Sequence, residues 1–225
     1  MFSPPDACQG LSPRKAMTAS TLLNLHQFAE SLGNAVDAKD HWTCAHSEEV
    51  AIISQILALS MGFPPHVAEI IHLAGHLHDI GKIGIPDAIL QKPGPLTREE
   101  FAIIKRHPII GEAIVKPVKV LNGQSGVARM IRHHHERYDG SGYPDHLAGS
   151  LIPVGARILA VADSLSAMLQ NRPYKAAMTF EDAEREIMTQ SGVMYDPRVV
   201  EAFCKSRDHI HSWIMGMRGE VLAAG

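Results

Sequence analysis

Apolar residues recur at three- and four-residue steps along most of this chain, the period of helices that bury one face. Leu22, Leu25, Ala29 and Leu32 place a first amphipathic helix over residues 18–36. A second, over 43–60, turns Val50, Ile53, Ile56 and Leu57 inward, and Gly62 follows where a helix C-terminus favours a left-handed residue. Pro64 and Pro65 open a third over 67–78, because proline fits a first turn. Gly81, Gly84, Pro86, Pro93 and Gly94 then break the period into a loop over 80–94. Thr97-Arg98-Glu99-Glu100 reads as a capping box, starting a short helix that ends near His107-Pro108. Further helices are expected over 109–120, stopped by Asn122-Gly123, and over 125–136, 158–169 and 179–190. A last one is entered through Asp196-Pro197. The Gly-rich stretch 138–151 is too broken for a helix, and no alternating strand pair or internal repeat appears. The pattern predicts an all-α bundle in a single domain over 18–225, after a frayed Pro-, Ser- and Gly-containing segment at 1–17. Its N-terminal helix pair should pack on the rest without a linker.

Composition narrows the function. Hydrophobic residues make up 45% and charged residues 20%, with a formal net charge of −3. That balance is ordinary for a soluble protein and argues against holding DNA or a membrane surface by bulk charge. No apolar run reaches the roughly 18 residues of a membrane span. The opening MFSPPDACQG lacks the parts of a signal peptide, so the expected location is the cytoplasm. Three scattered cysteines, Cys8, Cys44 and Cys204, form no CxxC pair and suggest neither a disulfide framework nor a structural zinc site.

Histidine stands out, with 14 in 225 residues, bunched at a few helix ends. His78-Asp79 closes the third helix. Alone, such a pair is an ordinary polar helix end. Its company changes the reading: His46 on the preceding helix, His107 at the end of the capping-box helix, and the run His133-His134-His135 before Glu136. Asp163 falls within the apolar segment 158–169, where an unpaired carboxylate is costly and calls for a cation. Imidazole with carboxylate and no thiolate suits iron, manganese, zinc or nickel. More than five such groups exceed what one tetrahedral ion needs, and two ions bridged by a carboxylate would use them. A two-metal centre activates water against a phosphoester, and Lys82, three residues after Asp79, can set a positive charge beside the phosphate. Neither a P-loop nor a Ser-His-Asp order competes for the role.

The segment HLHDIGKIGIPDAILQKPGPLTREEF, then His107-Pro108 and HHERYDGSGYP, resembles the HD-GYP family of HD-superfamily metal-dependent phosphohydrolases. The likeness continues through ARILAVADSLSAM and RPYK to SGVMYDPRVVEAF, and so covers about residues 20–205. It implies an HD-superfamily helical bundle that hydrolyses cyclic di-GMP to pGpG or GMP through a metal-bridging hydroxide. Two divalent ions are implied, iron or manganese first, nickel or zinc as substitutes. Carried over, His46, His78 and Asp163 hold one ion, His107, His134 and His135 the other, and Asp79 bridges them. Lys82 matches the catalytic lysine, and Arg172 and Lys175 match basic residues that hold the dinucleotide. Tyr143, in the Gly142-Tyr143-Pro144 loop, lies near the substrate, and that loop is a contact for diguanylate cyclase (GGDEF) domains. Trp42 stands where members with three metals carry Glu, which favours two ions. Ser166 replaces the usual Asp three residues after Asp163, which implies altered hydrogen bonding behind the ligands. Other readings are a phosphohydrolase of hybrid cyclic GMP-AMP or pGpG, and a non-catalytic docking module for cyclases. His72 and His76, four apart, could ligate as a pair, but they lie off the family pattern and read as structural or as residues behind the ligands. His26 reads as a surface or capping residue, and Glu136 and Asp139 as residues that order the loop.

Overall fold

Ten α-helices and three short 3-10 turns form the described part of the chain, and its strand-like pairing is confined to one isolated bridge between Ser191 and Tyr195. The computed structural model describes residues 19–40, 45–122, 126–171 and 176–224. The helices are α1 (Ala19–Lys39), α2 (His46–Ser60), α3 (Pro65–Leu77), α4 (Asp87–Leu90), α5 (Arg98–Ile104), α6 (His107–Val115), α7 (Val127–His133), α8 (Val154–Met168), α9 (Phe180–Thr189) and α10 (Pro197–Ala224). Among the described residues, no helix is long and apolar enough to cross a membrane. The expected frayed segment 1–17 lies outside the described residues.

One hydrophobic cluster runs from Ala29 in α1 to Ile214 in α10, with Leu57, Ile71, Leu159, Leu165 and Phe203 fully buried. α2 lies at its centre, packed against α3, α8 and α10. The approach of α3 is close at Gly75, where a Cβ would sit 2.4 Å from the Ala51 Cα. α8 is buried on most of its surface, and its one arginine there, Arg157, pairs with the buried Asp196 that precedes α10.

Several boundaries differ from those the periodicity predicts, each for a local reason. Residues 80–94 are not an open loop: Ile80–Gly84 is a 3-10 turn and Asp87–Leu90 a single α-turn entered through Pro86. His107 begins α6 instead of ending the capping-box helix, because Pro108 takes the first turn that tolerates it. The capping box itself forms, with Thr97 and Glu100 bonded reciprocally. α6 stops at Val115, since Pro117 has no N–H to continue the ladder, and Lys119–Leu121 is a separate 3-10 turn. α7 ends at His133, so His134 and His135 sit just beyond a helix end. α8 starts earlier than expected, at Val154 after Pro153. α2 is preceded by Ala45 in the left-handed region, and Asp37 of α1 supplies its cap from a distance, accepting from Ser47 N at 3.0 Å and Ser47 Oγ at 2.9 Å.

Candidate metal centre

Five segments deliver their histidines and aspartates to one place. His46 opens α2, His78 and Asp79 follow α3, His107 opens α6, His134 and His135 follow α7, and Asp163 lies inside α8. Helix ends suit this purpose, because adjacent side chains there are no longer bound to one helical face. The α6 end comes close because Gly81 has no side chain: a Cβ would lie 1.9 Å from the His107 carbonyl oxygen.

Asp79 is central. Its Oδ1 lies 3.1 Å from His107 Nε2 and its Oδ2 lies 3.3 Å from His78 Nε2. On one side Asp79, His107, His134 and His135 bring ligand atoms within 4.8 Å of one another, and on the other His46, His78 and Asp79 do the same. His78, His134 and Asp163 form a third such group. Asp163 Oδ1 is 3.2 Å from His46 Nε2 and 4.0 Å from His78 Nε2, and its Oδ2 is 3.9 Å from His135 Nδ1.

The donor set fits a metal, and backbone hydrogen bonds show why. Nδ1 of His78, His107 and His134 lies 2.7, 2.8 and 2.6 Å from the carbonyl oxygens of Gly75, Ile104 and Ile131. A carbonyl only accepts, so each Nδ1 donates, and in the neutral ring each Nε2 turns a lone pair to the centre. His46 is oriented by a side chain: its Nδ1 is 2.9 Å from Ser166 Oγ, whose own proton goes to Glu49 at 2.5 Å. Burial opposes ionisation of Asp79, yet Lys82, His78 and a bond from His107 hold its carboxyl well below the usual range. Asp163 is likewise held low against burial by His46 and His78. Burial opposes a proton on His78, but the charges of Asp79 and Asp163 raise its pKa to about 9. Burial and neighbouring rings push His134 well down and His135 to about 3. Two carboxylates thus stay ionised beside the neutral rings of His134 and His135, and the His78 ring is drawn toward protonation. Such a site is short of positive charge, which a divalent cation supplies.

Around this centre, Lys82 Nζ is clamped between Asp79 Oδ2 at 2.8 Å and Asp40 Oδ2 at 2.7 Å. The Tyr143 ring lies 4.9 Å from that of His135, with Lys105 Nζ 5.3 Å over it, and burial raises the pKa of its hydroxyl. His135, Asp163, Lys82 and Tyr143 keep partial exposure while His46, His78 and His134 are buried, so the centre opens on one side. His133 turns away, donating from Nδ1 to the Arg129 carbonyl at 2.8 Å and meeting Asp145 through Nε2 at 2.9 Å. Glu136 accepts from the Asp145 and Leu147 amides, and Asp139 from Ser141, so both order the loop around Tyr143. Gly142 is required there, as a Cβ would sit 2.2 Å from the Arg137 nitrogen. Trp42, Arg172 and Lys175 lie outside the described residues. Sequence reasoning missed Asp40, Glu49 and Arg218, whose contacts join segments far apart in the chain, and the packing of the partly exposed His26 on His72 and His76.

The family model described as "HD domain" matches residues 30–199. The chain is 46% identical over 186 residues to the "Cyclic di-GMP phosphodiesterase" of Thermotoga maritima, spanning 83% of this chain and 50% of that protein. It is 41% identical over 183 residues to the "3'3'-cGAMP-specific phosphodiesterase 2" of Vibrio cholerae, spanning 81% of this chain and 35% of that protein. Among solved structures, Bd1817, a HDG"Y"P protein from Bdellovibrio bacteriovorus, shares the fold with a TM-score of 0.61 at 20% identity, over 80% of this chain and 62% of that one. This chain belongs to the HD domain family. It spans half or less of the length of the two curated relatives.

Proposed function

We propose that the chain is a metal-dependent phosphodiesterase that hydrolyses cyclic di-GMP to pGpG or GMP. The observation that carries this reading is the convergence of seven His and Asp side chains around Asp79, open on one side, beneath Lys82 and Tyr143. In this reading His46, His78 and Asp163 would hold one ion and His107, His134 and His135 a second, with Asp79 shared between them. Iron or manganese suits the mixed imidazole and carboxylate set, with nickel or zinc as substitutes. The bound ions supply Lewis acidity toward the phosphoryl oxygens and a water made acidic enough to attack. The chain's residues do the rest. The Nδ1 bonds fix the rings, Asp40 keeps Lys82 beside Asp79, and Lys82 sets its charge at the edge where a phosphate arrives. Tyr143 offers a ring face to a base, and Arg172 and Lys175 hold the dinucleotide. The loop that carries Tyr143 is also the proposed contact for a diguanylate cyclase domain.

The Vibrio cholerae relative favours a second substrate, hybrid cyclic GMP-AMP, at the same site. The test is metal content and hydrolysis measured on one anaerobically purified sample, with cyclic di-GMP, hybrid cyclic GMP-AMP and pGpG offered in parallel. About two iron or manganese ions per chain with turnover of cyclic di-GMP is the expected result. Asp79→Ala should lose those ions and turnover. Metal-loaded protein that cuts the hybrid and leaves cyclic di-GMP intact would transfer the reading to the second substrate. If metal-loaded protein cuts neither and Asp79→Ala leaves cyclase signalling unchanged, the chain is a docking module.

A further inference from the structure

α3 carries a second set of ligand side chains on the face turned away from the centre just described. Glu69, His72 and His76 follow at steps of three and four and share one face of α3, whereas His78 lies about 200° around from His76. His72 and His76 are each 3% exposed, and their Nε2 atoms meet at 3.1 Å. From α1, His26 stacks on His72 with ring centroids 4.7 Å apart and stands edge-on to His76 at 5.4 Å. One ring nitrogen of each of the three lies within 4.8 Å of the other two. α1 can come this near because Gly33 has no side chain, as a Cβ there would meet the His76 carbonyl oxygen at 2.7 Å. His26 Nδ1 is buried and makes no hydrogen bond, while Glu69 Oε1 stands 3.5 Å from it and Gln55 holds Glu69 Oε2 at 3.1 Å. The side chains of His26 and Glu69 are 27% and 28% exposed, so an ion can reach the group from solvent.

We propose that His26, His72 and His76 form a second divalent-cation site, of the tetrahedral zinc type, with Glu69 as the carboxylate that orients His26 and balances charge. Metal–nitrogen bonds of about 2.0–2.1 Å in a tetrahedron set neighbouring ligand nitrogens roughly 3.3 Å apart. The His72–His76 pair already stands close to that spacing. His26, the least buried ring and the one on a different helix, closes the remaining distance by turning its ring. A hydrogen bond between two neutral imidazoles accounts for the His72–His76 pair but not for the third ring drawn up against it. Burial and the neighbouring His26 push the pKa of His72 down to about 4, so its lone pair is free at neutral pH. Imidazoles without bridging carboxylates select zinc, copper or nickel over calcium or magnesium. Bound there, the ion ties α1 to α3 and so anchors the N-terminal helix on the bundle.

The experiment uses the full chain, stripped of metal and titrated with Zn²⁺ alone and, separately, with Co²⁺. His26→Ala removes the partly exposed ligand with little effect on packing, and His76→Gln removes a buried one with a polar replacement. Each variant should retain one Zn²⁺ fewer than the wild type after desalting and lose part of the intense visible absorption of tetrahedral Co²⁺. Added Zn²⁺ should raise the melting temperature of the wild type more than that of His26→Ala. Equal Zn²⁺ content and identical Co²⁺ spectra in wild type and His26→Ala would overturn the proposal and leave the three histidines as structural packing.

Discussion

His46 is held by a relay of side chains that starts across the molecule. Arg218 of α10 grips Glu49 through contacts of 2.8 and 2.9 Å, Glu49 accepts the Ser166 hydroxyl proton, and Ser166 accepts from His46 Nδ1. Ser166 lies between His46 and Glu49, so a carboxylate reaches His46 here through one intervening hydroxyl. Ser166→Ala keeps the Glu49–Arg218 pair, and with it the packing of α10 on α2, but frees the imidazole to turn. Metal affinity should fall about 10–100-fold, the usual loss when the partner behind a ligating His is removed. Titration of stripped protein with Mn²⁺ reads this directly, and an unchanged affinity would show that α2 alone orients His46. The histidines and aspartates that converge here stood out in the sequence because two pairs of them are adjacent and Asp163 interrupts an apolar run. The relay was not, because Glu49 and Ser166 are 117 positions apart and helical periodicity says nothing about which helix a polar side chain will face.

Close backbone approaches set how the helices meet at the centre. Gly81 lets the 3-10 turn after Asp79 lie against the start of α6, with Gly111 N 2.6 Å from where a Cβ would stand. Gly81→Ala must displace backbone and not a flexible side chain, so it should cost on the order of 3 kcal/mol. Denaturant unfolding gives the loss, and wild-type stability would mean that α6 can retreat without penalty. The Tyr143 loop is tied down more weakly, through Asp145, which Arg132 contacts at 2.6 and 2.8 Å and His133 at 2.9 Å. The hydrogen bond from Arg132, aided by His133, lowers the Asp145 pKa to about 2 against an ordinary 3.8. A depressed carboxylate stabilises the fold above its unfolded pKa, and that contribution is lost as pH falls through the folded value. Asp145→Asn should therefore lower stability by about 1 kcal/mol or less near neutral pH, given the exposure of the pair. The gap between the two unfolding midpoints should hold from about pH 8 to about pH 4 and close toward pH 2. A gap independent of pH would assign the effect to packing. Periodicity located these helices well but misjudged the ends at His107 and Val115, where Pro108 and Pro117 decide the boundary and the apolar pattern runs on past them.

At the scale of the whole molecule, the centre draws on α2, the end of α3, the start of α6, the end of α7, and α8, so an ion bound there cross-links most of the bundle. Without one, the two ionised carboxylates are balanced by Lys82 and by a proton drawn onto His78. Metal binds the folded arrangement and not the unfolded chain, so it stabilises by about 2.7 kcal/mol at a free concentration 100 times its dissociation constant. For a chain of this length that is a rise of roughly 5–10 °C in melting temperature. Chelation should remove the rise from the wild type, and Mn²⁺ should restore it in a concentration-dependent way. Asp79→Ala should respond far less, because both groups of ligands that share Asp79 lose a member. The His26 cluster adds a control, since its zinc-type site should give Asp79→Ala a response to Zn²⁺ with little response to Mn²⁺. A wild-type melt indifferent to chelator and to both ions would mean that neither cluster holds metal, and that the buried charges are balanced within the protein.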